Sequence, residues 1–255
     1  METAAITQYV DVAQIVLYLF WAFFFGLIYY LQRESHREGY PMDSGHGLKQ
    51  KIAGWPVASP KTYLLPHGGS VQVPPGPSGE PPLKASPGRP GSGAPLEPDG
   101  DPMQAFVGPG SYAMRADVPD LTMDGDIKIV PLRVAADHGV ARQDRDPRGL
   151  PVVGADGVVA GHVSDLWVDR SEMLFRYLEV DVPGAAHGPH ILVPMAFAKV
   201  RRDRIEVDAV LGHQLDGVPR TRHPDRITLL EEEKVCAYYG AGTLYATPAR
   251  QEPLV

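Results

Sequence analysis

The longest apolar segment of the chain lies close to its start. Residues 12–31 (VAQIVLYLFWAFFFGLIYYL) contain no charged side chain; Asp11 precedes them and Arg33 follows. About 20 helical residues, rising about 1.5 Å each, cover about 30 Å, the thickness of a bilayer's hydrocarbon core. Lipid offers no hydrogen-bond partners to the backbone, so the pattern predicts a membrane-spanning helix.

A cleaved signal peptide is the competing interpretation of this segment. Such a peptide needs a basic start and small residues at its cleavage site. Residues 1–11 contain no Lys or Arg, and the bulky Tyr29, Tyr30 and Leu31 stand where cleavage would occur. The sequence therefore favours a retained anchor.

Basic residues flank the predicted helix on one side only. They all follow it: Arg33, Arg37, Lys49, Lys51 and Lys61. Because basic loops stay in the cytoplasm, the N-terminus is expected outside, in the periplasm, and the rest of the chain inside.

The pattern loses its periodicity between residues 41 and 110. This stretch is rich in Pro and Gly, most densely at 74–82 (PPGPSGEPP) and 86–95 (SPGRPGSGAP), and such composition opposes a packed core. Two interpretations stay open: a disordered linker, or an extended arm on a partner's surface. Isolated apolar residues would anchor such an arm: Trp55, Tyr63, Leu64, Leu65, Phe106 and Tyr112.

From about Ile127 the pattern becomes that of short strands. The turn at 154–157 (GADG) lies between valine pairs and predicts a hairpin, and 175–182 (FRYLEVDV) alternates between apolar and polar residues. Further short strands are predicted at 191–193 and 205–207, joined through the charged turn 201–204. These strands predict a small antiparallel barrel or sandwich of about five or six strands.

The last part of the chain changes to a helical pattern. Thr228 and Glu231 have the spacing of a capping box, which predicts a helix over 229–239 that Gly240 ends. The predicted organisation is a periplasmic start, a transmembrane helix, a Pro/Gly-rich arm, a cytoplasmic β domain, and a C-terminal helix with its tail. The corresponding boundaries are 1–11, 12–31, 32–115, 116–226 and 227–255.

Composition narrows the possible functions. The 255-residue chain has a net charge of −7, which makes nucleic acid an improbable partner. Its single cysteine, Cys236, allows neither an intrachain disulfide nor a cysteine-based zinc site, and is expected to be buried. The closest histidines, His187 and His190, are expected to be solvated rather than metal ligands. The chain also lacks the common nucleotide-binding, metalloprotease and hydrolase motifs.

Acidic and basic residues concentrate at one predicted strand and the turn after it. Strand parity places Asp165, Trp167 and Asp169 on one face, with Glu172 after the turn and Arg176 in the next strand. A solvated barrel rim explains this pattern, and so does a relay of protons through ionisable groups.

Several stretches resemble the H subunit of the photosynthetic reaction centre of purple bacteria. They follow the family's order along nearly the whole chain, whereas a generic PRC-barrel protein would share only about 150–210. The matching stretches are 26–43 (GLIYYLQRESHREGYPMD), 60–69 (PKTYLLPHGG), 100–103 (GDPM), 107–112 (VGPGSY), 146–169 (DPRGLPVVGADGVVAGHVSDLWVD), 176–182 (RYLEVDV) and 229–246 (LLEEEKVCAYYGAGTLYA).

The resemblance implies a PRC-type barrel on a single anchor and a non-catalytic role. It implies that the chain binds no cofactor itself and packs beside the L and M subunits. Those partner subunits carry bacteriochlorophyll, bacteriopheophytin, quinones, non-haem iron and carotenoid. The cytoplasmic barrel would cap their quinone end and carry protons to the secondary quinone. The core light-harvesting antenna ring and membrane lipids would be further partners, in the intracytoplasmic (chromatophore) or inner membrane.

The resemblance also implies roles for particular residues. Glu172, Asp169 and Arg176 match the family's positions near the secondary quinone, which favours the proton-relay interpretation of the cluster that includes Asp165. Where well-studied members carry an H-x-H pair for proton uptake and metal binding, this chain has Asp124 and Asp126. Carboxylates still attract protons, but their ordinary pKa lies far below 7, so tight zinc binding is not expected there.

Two other classes of function remain as alternatives. One is a membrane-anchored PRC-barrel adaptor of another membrane complex, and the weaker one is a membrane-tethered hydrolase whose site has no familiar motif.

Overall fold

A computed structural model describes residues 5–7, 10–37, 58–66, 68–73, 84–89, 94–184, 188 and 190–251. The chain forms two compact units. Unit 1 comprises residues 1–80 and 89–95, and unit 2 comprises residues 81–88 and 96–255. The predicted arm 32–115 is thus divided between the units. Trp55, His187 and the whole Pro/Gly-rich stretch 74–82 lie outside the described residues.

Unit 1 is built around helix α1, Val12–Ser35. The Asp11 carboxylate accepts the Gln14 N–H at 2.7 Å and so caps the first turn. The helix extends four residues beyond the predicted span, and every side chain of its apolar run is at least partly exposed. In the part of the chain that the structure describes, α1 is the one helix long and apolar enough to cross a membrane.

Two small hairpins complete the described part of unit 1. Strands β1 (Ala5–Thr7) and β2 (Val10–Asp11) pair before the helix. Strands β3 (Lys61–Leu64) and β4 (Ser70–Val73) pair after it, with Tyr63 opposite Val71.

Unit 2 contains a short ribbon and a larger curled sheet. The ribbon pairs β5 (Ala85–Pro87) with β6 (Leu96–Pro98). The strands of the sheet are β7 (Ile129–Pro131), β8 (Pro151–Gly154), β9 (Val159–Asp169), β10 (Leu174–Asp181), β11 (His190–Pro194), β12 (Lys199–Val200) and β13 (Ile205–Val207).

The sheet has the order β11-β10-β9-β8-β13-β12, and β7 pairs with β9 beside β8. The predicted mainly β domain is therefore confirmed. Its antiparallel pattern has one exception, because β13 runs parallel to β8. The turn 201–204 was expected to join β11 to β13. It joins the short strand β12, which was not predicted, to β13.

The predicted hairpin between β8 and β9 is present. Gly157 adopts φ +73°, a left-handed conformation that glycine reaches without strain, so the tight turn can close. Long pairing of β9 with β10 and of β10 with β11 then forms the centre of the sheet.

The core of unit 2 lies between this sheet and the C-terminal helix. Leu178 and Val180 are fully buried, as the alternation of β10 predicts. Tyr177 and Glu179, which alternate with them along the strand, are buried as well. Tyr177 is covered by the C-terminal helix, where its hydroxyl reaches Glu232, and Glu179 bonds to Trp167 and Arg133. The buried apolar side chains include Val152, Leu166, Trp167, Ile191, Val193, Ile205, Val207, Leu215, Ile227 and Tyr239.

Helix α2, Leu229–Tyr245, begins as predicted and ends later. The Thr228 hydroxyl accepts the Glu231 N–H, and the Glu231 carboxylate accepts the Thr228 N–H, which completes the capping box. Gly240 does not end the helix. A Cβ there would stand 2.3 Å from the Pro109 carbonyl oxygen, so the glycine permits close packing instead. Cys236, predicted to be buried, is exposed on this helix.

Candidate functional site

The centre of the candidate site is the carboxylate of Asp169 at the end of β9. This side chain has no exposed surface. Its Oδ1 accepts the backbone N–H groups of Ser171 and Glu172, each at 3.0 Å, so the carboxylate shapes the turn into β10. Met173 completes that turn at φ +56°, an uncommon conformation for a residue other than glycine.

Two cations hold the other oxygen of Asp169. The Arg176 Nε donates to Oδ2 at 3.2 Å, and Lys128 Nζ lies 3.6 Å from the same atom. Arg176 also bonds the Glu172 carboxylate at 2.9 Å, and Lys128 lies 3.8 Å from it. Glu172, with 48% of its side chain exposed, therefore connects this buried centre to solvent.

The electrostatic balance favours ionised Asp169. Burial alone would raise the pKa of its carboxyl. The backbone N–H groups of Glu172 and Ser171, together with Arg176 and Lys128, outweigh burial and lower the pKa below its ordinary value. Burial likewise opposes the charge of Lys128, yet the facing carboxylates raise the pKa of this amine.

Asp120 gives the cluster a second connection to the surface. Its carboxylate is 3.4 Å from Lys128 Nζ, and 44% of its side chain is exposed. The Lys128 backbone N–H bonds the Asp120 carbonyl at 2.8 Å, which sets the two residues side by side. Lys128 therefore contacts the buried Asp169 and two exposed carboxylates at once.

A cavity of about 390 Å³ opens beside Arg176. Glu232 of α2 lines it, and the Tyr177 hydroxyl donates to the Glu232 Oε2 at 3.0 Å. Burial raises the pKa of the Glu232 carboxyl despite that hydrogen bond. This group differs from Asp169 because its surroundings favour the protonated form.

Two family models match the chain. The model described as photosynthetic reaction centre, H-chain N-terminal region, matches residues 4–134, just over half of the chain. The model of the PRC-barrel domain matches residues 140–214. The chain belongs to the H-chain family of the photosynthetic reaction centre.

Membership in the H-chain family gives the broad function. The family is a structural subunit of the reaction centre that does not itself bind pigment. This H chain is therefore a reaction-centre subunit, and it associates with the core of that membrane complex.

The structure brings together Asp169, Glu172 and Arg176, the three residues that the H-chain resemblance singled out. It places Asp165 elsewhere. The Asp165 Oδ2 accepts from Arg133 Nη1 at 3.2 Å, and the same nitrogen bonds Glu179 at 2.8 Å. Strand parity is correct for Asp165 and Asp169, but four residues along a strand separate them by about 13 Å.

Asp124 and Asp126 lie on an exposed hairpin turn of the H chain. Thr122 holds that turn, since its N–H bonds the Asp126 carbonyl at 2.8 Å. Asp126 lines a surface cavity of about 400 Å³ together with Arg170 and His223. A histidine thus lies near the position where the H-x-H pair is replaced.

Sequence reasoning missed three members of the Asp169 cluster and its surroundings. Lys128 and Asp120 flank the turn that contains Asp124 and Asp126, and only the hairpin pairing reveals that they meet. Glu232 lies in the first turn of α2, a position that the helix dipole alone explains. No local signal indicated that it would line the cavity beside Arg176.

Across the described ranges, no group of three or more His, Cys, Asp or Glu side chains is arranged to hold a metal ion. His190 instead pairs with Asp181, its Nδ1 lying 2.6 Å from the Oδ1 of that carboxylate.

Proposed function

We propose that this chain stabilises the L and M core at its quinone end and conducts protons from the cytoplasm to the secondary quinone. In this proposal it acts as a non-catalytic subunit. Bacteriochlorophyll, bacteriopheophytin, quinones, non-haem iron and carotenoid reside on the partner subunits.

The observation that carries the proposal is a buried carboxylate joined to exposed ones through shared cations. Asp169 has no exposed surface, whereas Glu172 and Asp120 reach solvent, and Lys128 lies within 3.8 Å of all three. Protons move between such groups when water or rotation brings them into hydrogen-bond reach. A cap that shields quinones needs a route of this kind.

Each carboxyl group has a different proposed role in the proton route. Glu172 is exposed to solvent, so it is the proposed carrier at the surface of the cluster. Asp169 stays ionised because its pKa is lowered, so it attracts protons inward rather than storing them. Glu232 has a raised pKa and is suited to hold a proton beside Arg176. Asp124 and Asp126 are the proposed outer collectors, and Asp165 is a peripheral member.

The arm 32–115 is proposed to lie along the partner subunits near the cytoplasmic membrane surface. Phe106 supports this, since the chain leaves 38% of this apolar residue exposed. The antenna ring and lipids are the further proposed neighbours, in the chromatophore or inner membrane.

Sealed inside-out vesicles test the proposed orientation. No Lys or Arg precedes α1, whereas Arg33, Arg37 and Lys61 follow it. Protease added outside such vesicles should therefore remove unit 2 and leave α1 protected. A unit 2 that is protected in intact inside-out vesicles, and cleaved after detergent, contradicts the orientation.

Flash kinetics on assembled complexes test the proton route. Glu172→Gln keeps the volume of the side chain and removes its titrating group. We expect the first electron transfer to the secondary quinone to be unchanged, because it needs no direct proton delivery. The second should slow by about tenfold or more, equivalent to about 1.4 kcal/mol or more of barrier.

The matched control is Asp203→Asn, which neutralises an exposed carboxylate whose described ion pair is with Arg204 on the 201–204 turn. It should leave both transfers unchanged. A small weak acid that carries protons through water should partly restore the Glu172→Gln rate. Wild-type speed of the second transfer in Glu172→Gln between pH 6 and 9 would contradict the proposed route.

A further inference from the structure

The hairpin of β3 and β4 presents apolar side chains to its surroundings. Leu64, at the end of β3, is 85% exposed, and its neighbours are about half exposed. We name this surface the apolar tip; it comprises Tyr63, Leu64, Leu65 and Val71. Contiguous exposed apolar side chains on a soluble surface mark a place where another phase or molecule binds.

Buried ionic contacts attach this hairpin to the end of α1. The Arg37 guanidinium donates to the carbonyl of Ser59 and, at 3.2 Å, to that of Val73, so it holds the base of both strands. The same guanidinium bonds Glu34 at 2.7 Å. Only 6% of the Arg37 side chain is exposed, so these bonds fix the hairpin to the helix rather than to water.

Lys61 adds a second attachment on the face that carries Tyr63. Its Nζ donates to the Glu34 Oε2 at 2.6 Å and lies 5.6 Å from the centre of the Tyr30 ring. Tyr30 is the penultimate residue of the apolar run in α1. The base of β3 therefore stands at the level where the apolar part of the helix ends.

That level determines what the tip can reach. Leu64 is three residues from Lys61, so the Cα atoms of these two residues lie within about 10 Å of each other. The headgroup region on each side of a bilayer is about 5–7 Å thick. A hairpin whose base is held at the end of a membrane-spanning helix is long enough to reach the boundary between headgroups and acyl chains.

We infer that the apolar tip inserts into the cytoplasmic leaflet beside α1 and binds membrane lipid. Its composition suits that interface, since leucines enter the acyl boundary and tyrosine stays at the headgroups. Arg33 and Lys61 add positive charge, which anionic headgroups attract. The inference rests on the proposed membrane placement of α1 and gives the hairpin a second, shallower anchor.

Spin labelling of the assembled complex in native membranes tests the inference. A nitroxide is attached at Leu64→Cys in a Cys236→Ser background, and the signal of the background complex is subtracted. Collision with oxygen, which concentrates in lipid, is compared with collision with a water-soluble nickel complex. The matched control is Met123→Cys, a fully exposed apolar residue on another hairpin turn, in unit 2.

We expect the ratio of oxygen to nickel collisions to be several-fold higher at residue 64 than at residue 123. Equal ratios would show a water-exposed tip, and a label shielded from both reagents would show a protein-covered tip; either result overturns the inference. The protease experiment on inside-out vesicles tests independently whether α1 spans the membrane. A water-exposed or protein-covered tip on a chain whose α1 spans the bilayer therefore leaves the proposed function intact.

Discussion

Strand β9 carries two buried carboxylates whose surroundings differ. Asp165 shares Arg133 with the buried Glu179, and Trp167 donates its indole N–H to Glu179 at 2.7 Å. Asp169 shares Lys128 and Arg176 with carboxylates that reach solvent. We call these the Arg133 cluster and the Asp169 cluster.

The comparison shows that burial and ion pairing alone do not distinguish a structural cluster from a conducting one. Arg133 is bound on several sides, since its Nε also bonds Asp225 at 3.1 Å, so it fixes the loop before α2 to the sheet. In the Asp169 cluster the cations lead outward to Glu172 and Asp120. The Arg133 cluster also has exposed neighbours, Asp225 and His190, so the difference lies in the cations. Arg133 alone joins Asp165 to Glu179. Both Lys128 and Arg176 join the buried Asp169 to the exposed Glu172.

The largest expected effect is on stability, at Arg133. Arg133→Met leaves the carboxylates of Asp165 and Glu179, which are direct cross-strand partners, without their shared cation. We expect a loss of about 3 kcal/mol in the free energy of unfolding. Arg176→Met should cost only about 1 kcal/mol, because Asp169 keeps Lys128 and two backbone N–H groups.

Denaturant unfolding of the fragment without residues 1–35 measures both values. That fragment should be soluble because it lacks α1, and it should carry no pigment. Equal losses for the two variants would contradict the distinction between the clusters. Stoichiometric bacteriochlorophyll on the fragment would contradict the structural role of this subunit.

A smaller effect, dependent on pH, is expected at Asp169. Because folding lowers the pKa of this carboxyl, its charge stabilises the folded state above the unfolded pKa of about 3.9. That stability is lost as the pH falls through the lower, folded pKa. Asp169→Asn should thus cost about 2 kcal/mol at pH 7 and progressively less below about pH 4.

Unfolding midpoints of the same fragment between pH 7 and pH 2.5 check this prediction, with Asp203→Asn as the matched exposed carboxylate. A difference between wild type and Asp169→Asn that stays constant across this range would show that the charge of Asp169 contributes nothing. The loss would then come from the changed shape of the turn.

The smallest expected effect sharpens the comparison on the functional side. Asp165→Asn should leave the second electron transfer close to the wild-type rate, since its described partners do not include Glu172. Asp169→Asn should slow that transfer, though less than Glu172→Gln does, because parallel waters can bypass it. Flash kinetics on the three variants decide between these outcomes. If Asp165→Asn and Asp169→Asn slow the second transfer equally, both clusters belong to one proton route and the distinction between them is wrong.

Local patterns predicted the elements better than their partners. Period-two alternation identified β9 and β10, and the spacing of Thr228 and Glu231 identified the start of α2. The partner residues come from distant segments: Lys128 and Arg133 precede the start of β9 by 31 and 26 residues. Hairpin pairing and loop packing decide such contacts, and no local period encodes them.

The end of α2 and the direction of β13 were both predicted wrongly, because contacts between distant segments decide them. Gly240 has the local preference of a helix end, yet its packing against Pro109 lets α2 continue to Tyr245. The parallel pairing of β13 with β8 depends on a long connection rather than on a turn. In contrast, Asp169, Glu172 and Arg176, which the resemblance singled out, do lie together, because all three belong to one hairpin.

The lowered pKa of Asp169 has a consequence for how often a proton visits it. Because its pKa lies below the ordinary value of an aspartic acid, the carboxyl is rarely protonated at pH 7. Protonation of the Asp169 carboxylate also weakens its hydrogen bonds to the backbone N–H groups of Ser171 and Glu172, which hold the turn. Proton transfer through Asp169 would therefore involve rare and brief protonation of its carboxyl. The turn would return to its ordered form after each proton leaves.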